Sequence, residues 1–260
     1  VGILNVTPDS FSDGGVVNSI DKAIIKVESM LEEGVDVIDI GGESTRPGFE
    51  AISSQEEIDR VRPIIAACIK RFPEAVFSID TSKEEVARMA LDEGVLILND
   101  IWGLRRDAQL GPMASEFNAG VFLMRNGRLE APGSFDEGIL FDRVVDYWKR
   151  SIEIGEKAGL GRDQLVLDPG IGFGTTREED LAFFRLLPRF CDLGFGLLVG
   201  ASRKRVTGLG GDLRVEERLE STLATTVAAI QGGADFVRVH DARENVRAAR
   251  MADLIYRGNE

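Results

Sequence analysis

The segment EEGVDVIDI (Glu32–Ile40) closes a helical stretch, turns at Gly34 and runs straight into an apolar strand. The same order of helix end, glycine and strand recurs in DEGVLILND (Asp92–Asp100), NAGVFLM (Asn118–Met124) and GGADFVRV (Gly232–Val239). Brief runs rich in Val and Ile mark strands covered on both faces, as in a parallel sheet with helices outside. Working outward gives strands at Val1–Val6, Val35–Ile40, Ala75–Ile79, Val95–Leu98, Gly120–Met124, Gln164–Leu167, Gly196–Gly200 and Asp235–Val239. Amphipathic stretches lie between them, at Ser19–Glu33, Ser53–Arg71, Ser82–Glu93, Phe141–Ala158 and Glu216–Gln231. Ser53 with Glu56 and Ser82 with Glu85 fit capping boxes, and Gly34, Gly94, Gly120 and Gly233 fit helix stops.

Eight alternating units predict an α/β fold, a (β/α)₈ TIM barrel in a single domain spanning residues 1–260. The length of 260 residues suits one barrel, for which about 250 is typical. An open doubly wound sheet is the alternative. Against it, no G-x-G-x-x-G follows the first strand.

The formal net charge of -13 argues against nucleic acid and anionic membrane as partners. No apolar run approaches the ~20 residues of a membrane span, and no signal peptide is evident, so a cytoplasmic location is expected. With no initiator Met, the true N-terminus is expected to be trimmed or to lie outside this sequence. Cys68 and Cys191 are expected to be reduced, buried thiols, and a single histidine, His240, makes a His/Cys zinc site improbable.

In such barrels the chemistry collects where strands end. Those positions carry Asn5, Asp39, Asp80, Asn99 with Asp100, Asp168, the SRKR run Ser202–Arg205, and Arg238 with His240. Unpaired buried charge is too costly to gather by accident, so these residues describe a polar pocket. Asp80, Asn99 and Asp168 suit a flat heterocycle with ring N–H and amino donors. Arg46, Lys204, Arg238 and His240 suit an anion such as phosphate. Glycine-rich loops at Asp13–Gly15, Arg46–Gly48 and Asp168–Gly174 flank the same end.

Seven motifs fall in one order along nearly the whole chain: NVTPDSFSDGG (Asn5–Gly15), DIGGESTRPG (Asp39–Gly48), SIDTSK (Ser78–Lys83), LND (Leu98–Asp100), LDPGIGFG (Leu167–Gly174), SRK (Ser202–Lys204) and RVHD (Arg238–Asp241). In these the chain resembles the dihydropteroate synthase family. The resemblance implies a pterin-binding barrel that condenses 6-hydroxymethyl-7,8-dihydropterin pyrophosphate with p-aminobenzoate in folate biosynthesis and releases pyrophosphate, with Mg²⁺ assisting. It implies that Asp80, Asn99, Met124, Asp168 and Lys204 hold the pterin. Asn5, Arg46, Arg238 and His240 would hold the pyrophosphate, with Asn5 meeting the metal. Phe11, Thr45, Pro47, Phe173 and Ser202 would line the p-aminobenzoate end, where sulfonamide inhibitors would also fit. Lys204, Asp80, Asp13 and Arg46 are the catalytic set it implies, and a homodimer through outer helices is expected.

The loops Thr7–Gly15 and Ser44–Glu50 have too few apolar residues for a core of their own. They are therefore expected to close only over a bound anion, so that p-aminobenzoate binds after the pterin pyrophosphate. Three positions depart from the family pattern: Arg125 after Met124, Trp102 after LND, and Arg205 after Lys204. Two other readings stay open, a pterin-binding methyltransferase-type barrel acting on corrinoid and a catalytically weak or silent paralogue. The first has no use for the anion cluster.

Overall fold

The computed structural model describes residues 1–6, 15–44, 51–129, 135–211 and 213–258, with only the backbone described for 15–18 and 129. Eight strands follow one another in chain order as parallel neighbours: β1 (Gly2–Asn5), β2 (Val37–Gly41), β3 (Val76–Asp80), β4 (Ile97–Asp100), β5 (Gly120–Met124), β6 (Leu165–Asp168), β7 (Gly196–Val199) and β8 (Phe236–Val237). The sheet closes on itself. Gly2 bridges Val239, the Ile3 amide donates to the Val239 carbonyl at 3.0 Å, and the Val239 amide donates to the Val1 carbonyl at 2.9 Å. Closure of this kind leaves no free edge and excludes the open doubly wound alternative.

The helices are α1 (Gly15–Glu32), α2 (Ser54–Arg71), α3 (Glu84–Asp92), α4 (Leu110–Glu116), α5 (Glu137–Ala158), α6 (Arg177–Cys191), α7 (Leu219–Gln231) and α8 (Ala242–Tyr256). Side chains alternate across each strand. One set, including Ile38, Ile40, Phe77, Ile79, Leu98, Val121, Leu123, Leu165, Leu167 and Leu197, faces the helices and forms the apolar layer with Val61, Ile65, Val86, Trp148, Phe183 and Phe190. Trp148 of α5 meets the Phe190 ring edge-on, with centroids 4.9 Å apart, and its indole N–H donates to the Asp168 carbonyl at 3.3 Å. The core thus grips the backbone of β6 at its functional end.

Local signals in the sequence resolve unevenly. Ser53 caps α2 by accepting the Glu56 amide at 3.1 Å. Ser82 does not cap α3. The N-cap position there is Lys83, without a side-chain hydrogen bond, and the Glu85 carboxylate is instead taken by the Ser54 hydroxyl at 3.0 Å. Gly34, Gly94 and Gly233 adopt the positive φ of helix stops, at 92°, 107° and 97°. Gly120 does not, because it already belongs to β5; Asn118, with φ of 51°, makes the left-handed turn after α4. Cys68 is buried and Cys191 half-buried, both as free thiols, and the Cys191 thiol donates to the Gly232 carbonyl at 3.4 Å. On α7, Thr222, Thr226, Ala229 and Ile230 pack on the barrel, while Leu219, Leu223 and Val227 are half-buried.

Candidate active site at the strand ends

Strand register sorts the polar residues into layers. Asn5 lies level with Gly41, Gly41 with Asp80, and Asp80 with Asn99, while Met124 lies level with Asp168. Two residues down each strand, on the same inward face, come Ile3, Asp39, Ser78 and Ile97. Phe122 and Phe236, with ring centroids 5.6 Å apart, belong to the same inner face. The barrel interior is therefore polar at its mouth, and the layer beneath mixes Ile3 and Ile97 with the buried polar side chains of Asp39 and Ser78. Asp39 sits one layer beneath the mouth and is fully buried.

One guanidinium ties this mouth together. Arg238, just after β8, donates from Nε to Asp39 Oδ2 at 2.6 Å and from Nη2 to Asp80 Oδ2 at 2.8 Å. The Asn99 side-chain amide also donates to Asp39 Oδ2, at 3.0 Å. Asp39 is thus the hidden partner that orients both Asn99 and Arg238. Burial pushes the Asp80 carboxyl above its ordinary range, against the pull of the Arg238 charge, with Asp39 adding to the rise. A ligand bringing N–H donors to Asp80 would relieve that cost.

Asp168 and Lys204 form the opposite wall. Burial raises the Asp168 carboxyl, opposed by the charge of Lys204 and by the Gly170 amide, which donates to Asp168 Oδ1 at 2.8 Å. The Lys204 ammonium donates to the Ile171 carbonyl at 2.6 Å and lies 4.5 Å from the centroid of the half-buried Phe173 ring. Burial lowers its pKa to about 8, against the pull of Asp168 and with the Arg238 charge adding to the fall. Met124 is buried at the end of β5. Gly170, with φ of 74°, passes so close to β5 that a Cβ there would stand 1.9 Å from the Arg125 carbonyl, so no side chain fits.

The β6–α6 loop is held from beneath by a residue that sequence reading passed over. Asp180, fully buried in the first turn of α6, accepts from the Gly172 amide at 2.8 Å and from the Thr175 hydroxyl at 2.5 Å. Arg205 donates to the Thr175 carbonyl at 2.6 Å and lies 3.6 Å from Asp180. The arginine at this unusual position therefore buttresses the loop. Ser202 is buried, accepts from the His240 amide at 3.2 Å and pairs with His240 Nδ1 at 3.1 Å, so it bridges the β7 and β8 ends. Asn5 is exposed at the tip of β1.

Asp100 stands apart from this set. Its carboxylate accepts the Trp102 amide at 3.0 Å and the Leu104 amide at 2.6 Å, and so folds the turn after β4 rather than facing the pocket. The Trp102 carbonyl accepts the Tyr147 hydroxyl at 2.8 Å. Arg125, one residue past inward-facing Met124, is turned outward and buried, with its guanidinium 5.8 Å from the Phe183 ring of α6. Among the expected site residues, Asn5, Asp80, Asn99, Met124, Asp168, Phe173, Ser202, Lys204, Arg238 and His240 converge on this mouth. Phe11, Asp13, Thr45, Arg46 and Pro47 lie outside the described residues. So does most of both loops expected to close over an anion.

The family model described as "Pterin binding enzyme" matches residues 1–240. The dihydropteroate synthase of Clostridium beijerinckii is 48% identical over 258 residues, covering 99% of this chain and 94% of the relative. A crystal structure of dihydropteroate synthase from Clostridium difficile in the presence of pteroic acid superposes with a TM-score of 0.92 at 45% identity, covering 98% of this chain and 95% of that one. The Yersinia pestis dihydropteroate synthase in a sulfonamide drug complex gives a TM-score of 0.89 at 36% identity, covering 99% and 93%.

The buried setting of Lys204 generates a direct test. Ordinary lysines titrate near ~10.4, whereas Lys204 is expected to lose its proton as the pH rises through about 8. Side-chain NMR of the lysine ammonium groups should show one early titration, absent in Lys204→Met. A Lys204 resonance that titrates with the surface lysines would show that the ammonium is not held in the pocket.

Proposed function

The chain belongs to the dihydropteroate synthase family of pterin-binding enzymes, and we propose that the strand-end mouth binds the pterin ring against Asp80, Asn99, Asp168 and Lys204 and the pyrophosphate beside Arg238 and His240. The reaction joins 6-hydroxymethyl-7,8-dihydropterin pyrophosphate to p-aminobenzoate. The observation that carries the assignment of groups is the division of the mouth. Inward-facing Asp80 and Asn99 lie level on β3 and β4, with Asp168 one inward position further along β6 beside Met124, while the cationic and donor groups come from the ends of β7 and β8.

The chemistry asks little of the protein beyond orientation and charge. The C–O bond between the pterin methylene and pyrophosphate breaks, with its electron pair leaving on the pyrophosphate. The electron-rich ring carries the developing positive charge, which the buried carboxylates favour. The amine lone pair of p-aminobenzoate forms the new C–N bond, and the nitrogen then loses a proton. No covalent nucleophile is needed. Lys204, next to both Asp168 and Phe173, stands where the ring and amine ends meet. Phe173 supplies one wall for the amine's ring, and sulfonamides would compete there.

Mg²⁺ fits the donor set, since magnesium usually keeps several waters and takes few protein ligands. The exposed amide of Asn5 is an oxygen donor at the mouth, and the described residues hold no cluster of His, Cys, Asp and Glu that would suit a different ion. Bound to the pyrophosphate, the metal would neutralise the charge of the leaving group. Asn5 would contribute one ligand and Arg238 with His240 the remaining charge balance. The proposed setting is the cytoplasm, where small charged substrates are free in solution. Among the described residues, no helix is long and apolar enough to cross a membrane.

Two copies would pair through α8, whose Met251, Leu254, Ile255 and Tyr256 form an exposed apolar patch. Sedimentation should report a dimer, and Leu254→Asp with Ile255→Asp a monomer. A wild-type monomer at micromolar concentration would end this part of the proposal. The catalytic reading is tested by supplying the pterin pyrophosphate, p-aminobenzoate and Mg²⁺ to the purified protein. Dihydropteroate and pyrophosphate should appear in equal amounts, with sulfonamide competing against p-aminobenzoate. Pterin binding without product, or turnover that saturating sulfonamide leaves untouched, would refute it.

A further inference from the structure

Arg203 stands between two residues of the site, Ser202 and Lys204, yet its own side chain does not enter the mouth. Its guanidinium forms a two-point pair with Asp241, Nε to Oδ2 at 3.0 Å and Nη2 to Oδ1. Its backbone is left-handed, with φ of 58°. For a residue with a Cβ that conformation is unfavourable and persists only where the surroundings impose it.

Those surroundings are complete. The Arg203 amide donates to the hydroxyl of buried Thr222 at 3.3 Å. The Arg203 and Lys204 carbonyls both accept from Arg218, at 3.0 and 3.3 Å, and Arg218 is itself fixed by two donations to the Leu213 carbonyl. Gly208 leaves the room, since a Cβ there would stand 3.2 Å from the Arg218 guanidinium. On the other side, Asp241 occupies the N-cap position of α8 but makes no side-chain cap. An aspartate there ordinarily accepts a helix amide, and this one is committed to Arg203 instead. The α8 end is held by Asn245, which donates to the Asp241 carbonyl at 2.7 Å and accepts from Thr226 at 2.7 Å.

We infer that Arg203 is a positioning residue whose pair with Asp241 holds the left-handed turn between Ser202 and Lys204. That turn sends Ser202 to His240 and Lys204 into the pocket. The pair also straps the β7 loop to the β8 loop, so the groups facing the ring and those facing the anion keep one spacing. The inference rests on the reading of Lys204 as a ligand-facing residue and adds a cause for its placement.

Alanine and glycine at this position separate the possibilities. Arg203→Ala deletes the pair but keeps the Cβ that disfavours the turn. Arg203→Gly deletes the pair and also the steric cost. In the full-length enzyme, Arg203→Ala should lower kcat by about five- to thirtyfold, the conversion of a left-handed cost of about 1–2 kcal/mol at about 1.4 kcal/mol per tenfold. It should also move the Lys204 NMR titration up toward that of exposed lysines. Arg203→Gly should recover most of the activity and the low Lys204 midpoint. Equal losses in both variants, seen in KM for the pyrophosphate ester, would make Arg203 a substrate-binding cation and overturn the inference. So would an Arg203→Ala enzyme with unchanged kcat and Lys204 titration. Should Arg203→Ala fail to fold, Asp241→Asn keeps the shape and loses the charge, and the same two readouts must shift. The Lys204 titration needs no substrate, so it reports the turn even if the proposed reaction fails.

Discussion

Arg238 is the residue on which the mouth of the barrel depends. It stands 199 residues from Asp39 and 158 from Asp80 along the chain, and it reaches both only because β8 returns beside β1. Asp39 has no exposure at all. A carboxylate in that position needs a partner, and removing one member of a buried pair typically costs about 3–5 kcal/mol. Barrel closure and construction of the polar site are therefore one event. Asp39 and Asp80 project inward from neighbouring β2 and β3, one layer apart, and β8 brings the guanidinium they share. Once β8 docks, the same guanidinium neutralises the floor and fixes the rim.

This arrangement also explains how a strongly acidic protein can receive an anionic substrate. Its cations are few and are placed by carboxylates that do not themselves face the anion. Asp39 and Asp80 hold Arg238, Asp241 holds Arg203 beside Lys204, and Ser202 engages His240. Charges fixed in advance stabilise a charged transition state without having to reorganise during the reaction. Burial supplies the other half, raising the Asp80 and Asp168 carboxyls and lowering Lys204, so that ring donors and charged groups of a ligand bring relief when they arrive.

Much of this was legible in the sequence because barrel strands are short and buried on both faces. The repeated glycine-to-strand pattern marked β2, β4, β5 and β8, brief apolar runs marked the other strands, and strand ends gave the polar list. What escaped has a physical reason in each case. Asp39 is followed by three further residues before the rim motif, and only the inward parity it shares with Gly41 reveals that it lies beneath Asp80. Asp180 sits in a helix whose first turn is rich in acids, which reads as ordinary dipole compensation until the loop it holds is seen folded over it. Asp100 looked like Asn99's companion, but alternate residues on a strand face opposite ways, and its carboxylate is spent on two turn amides. The role of Arg203 needed a backbone angle that no pattern of residue types announces.

The dependence of the site on one shared guanidinium can be measured by a double-mutant cycle on Asp39 and Asp80. Asp39→Asn, Asp80→Asn and the double variant would each be unfolded in denaturant at neutral pH. Because both carboxylates bind Arg238, their effects on stability should not add. A coupling of about 0.5–3 kcal/mol is the expected range for residues in one buried network. Additive losses would mean that the two carboxylates are held independently and that Arg238 does not organise the mouth.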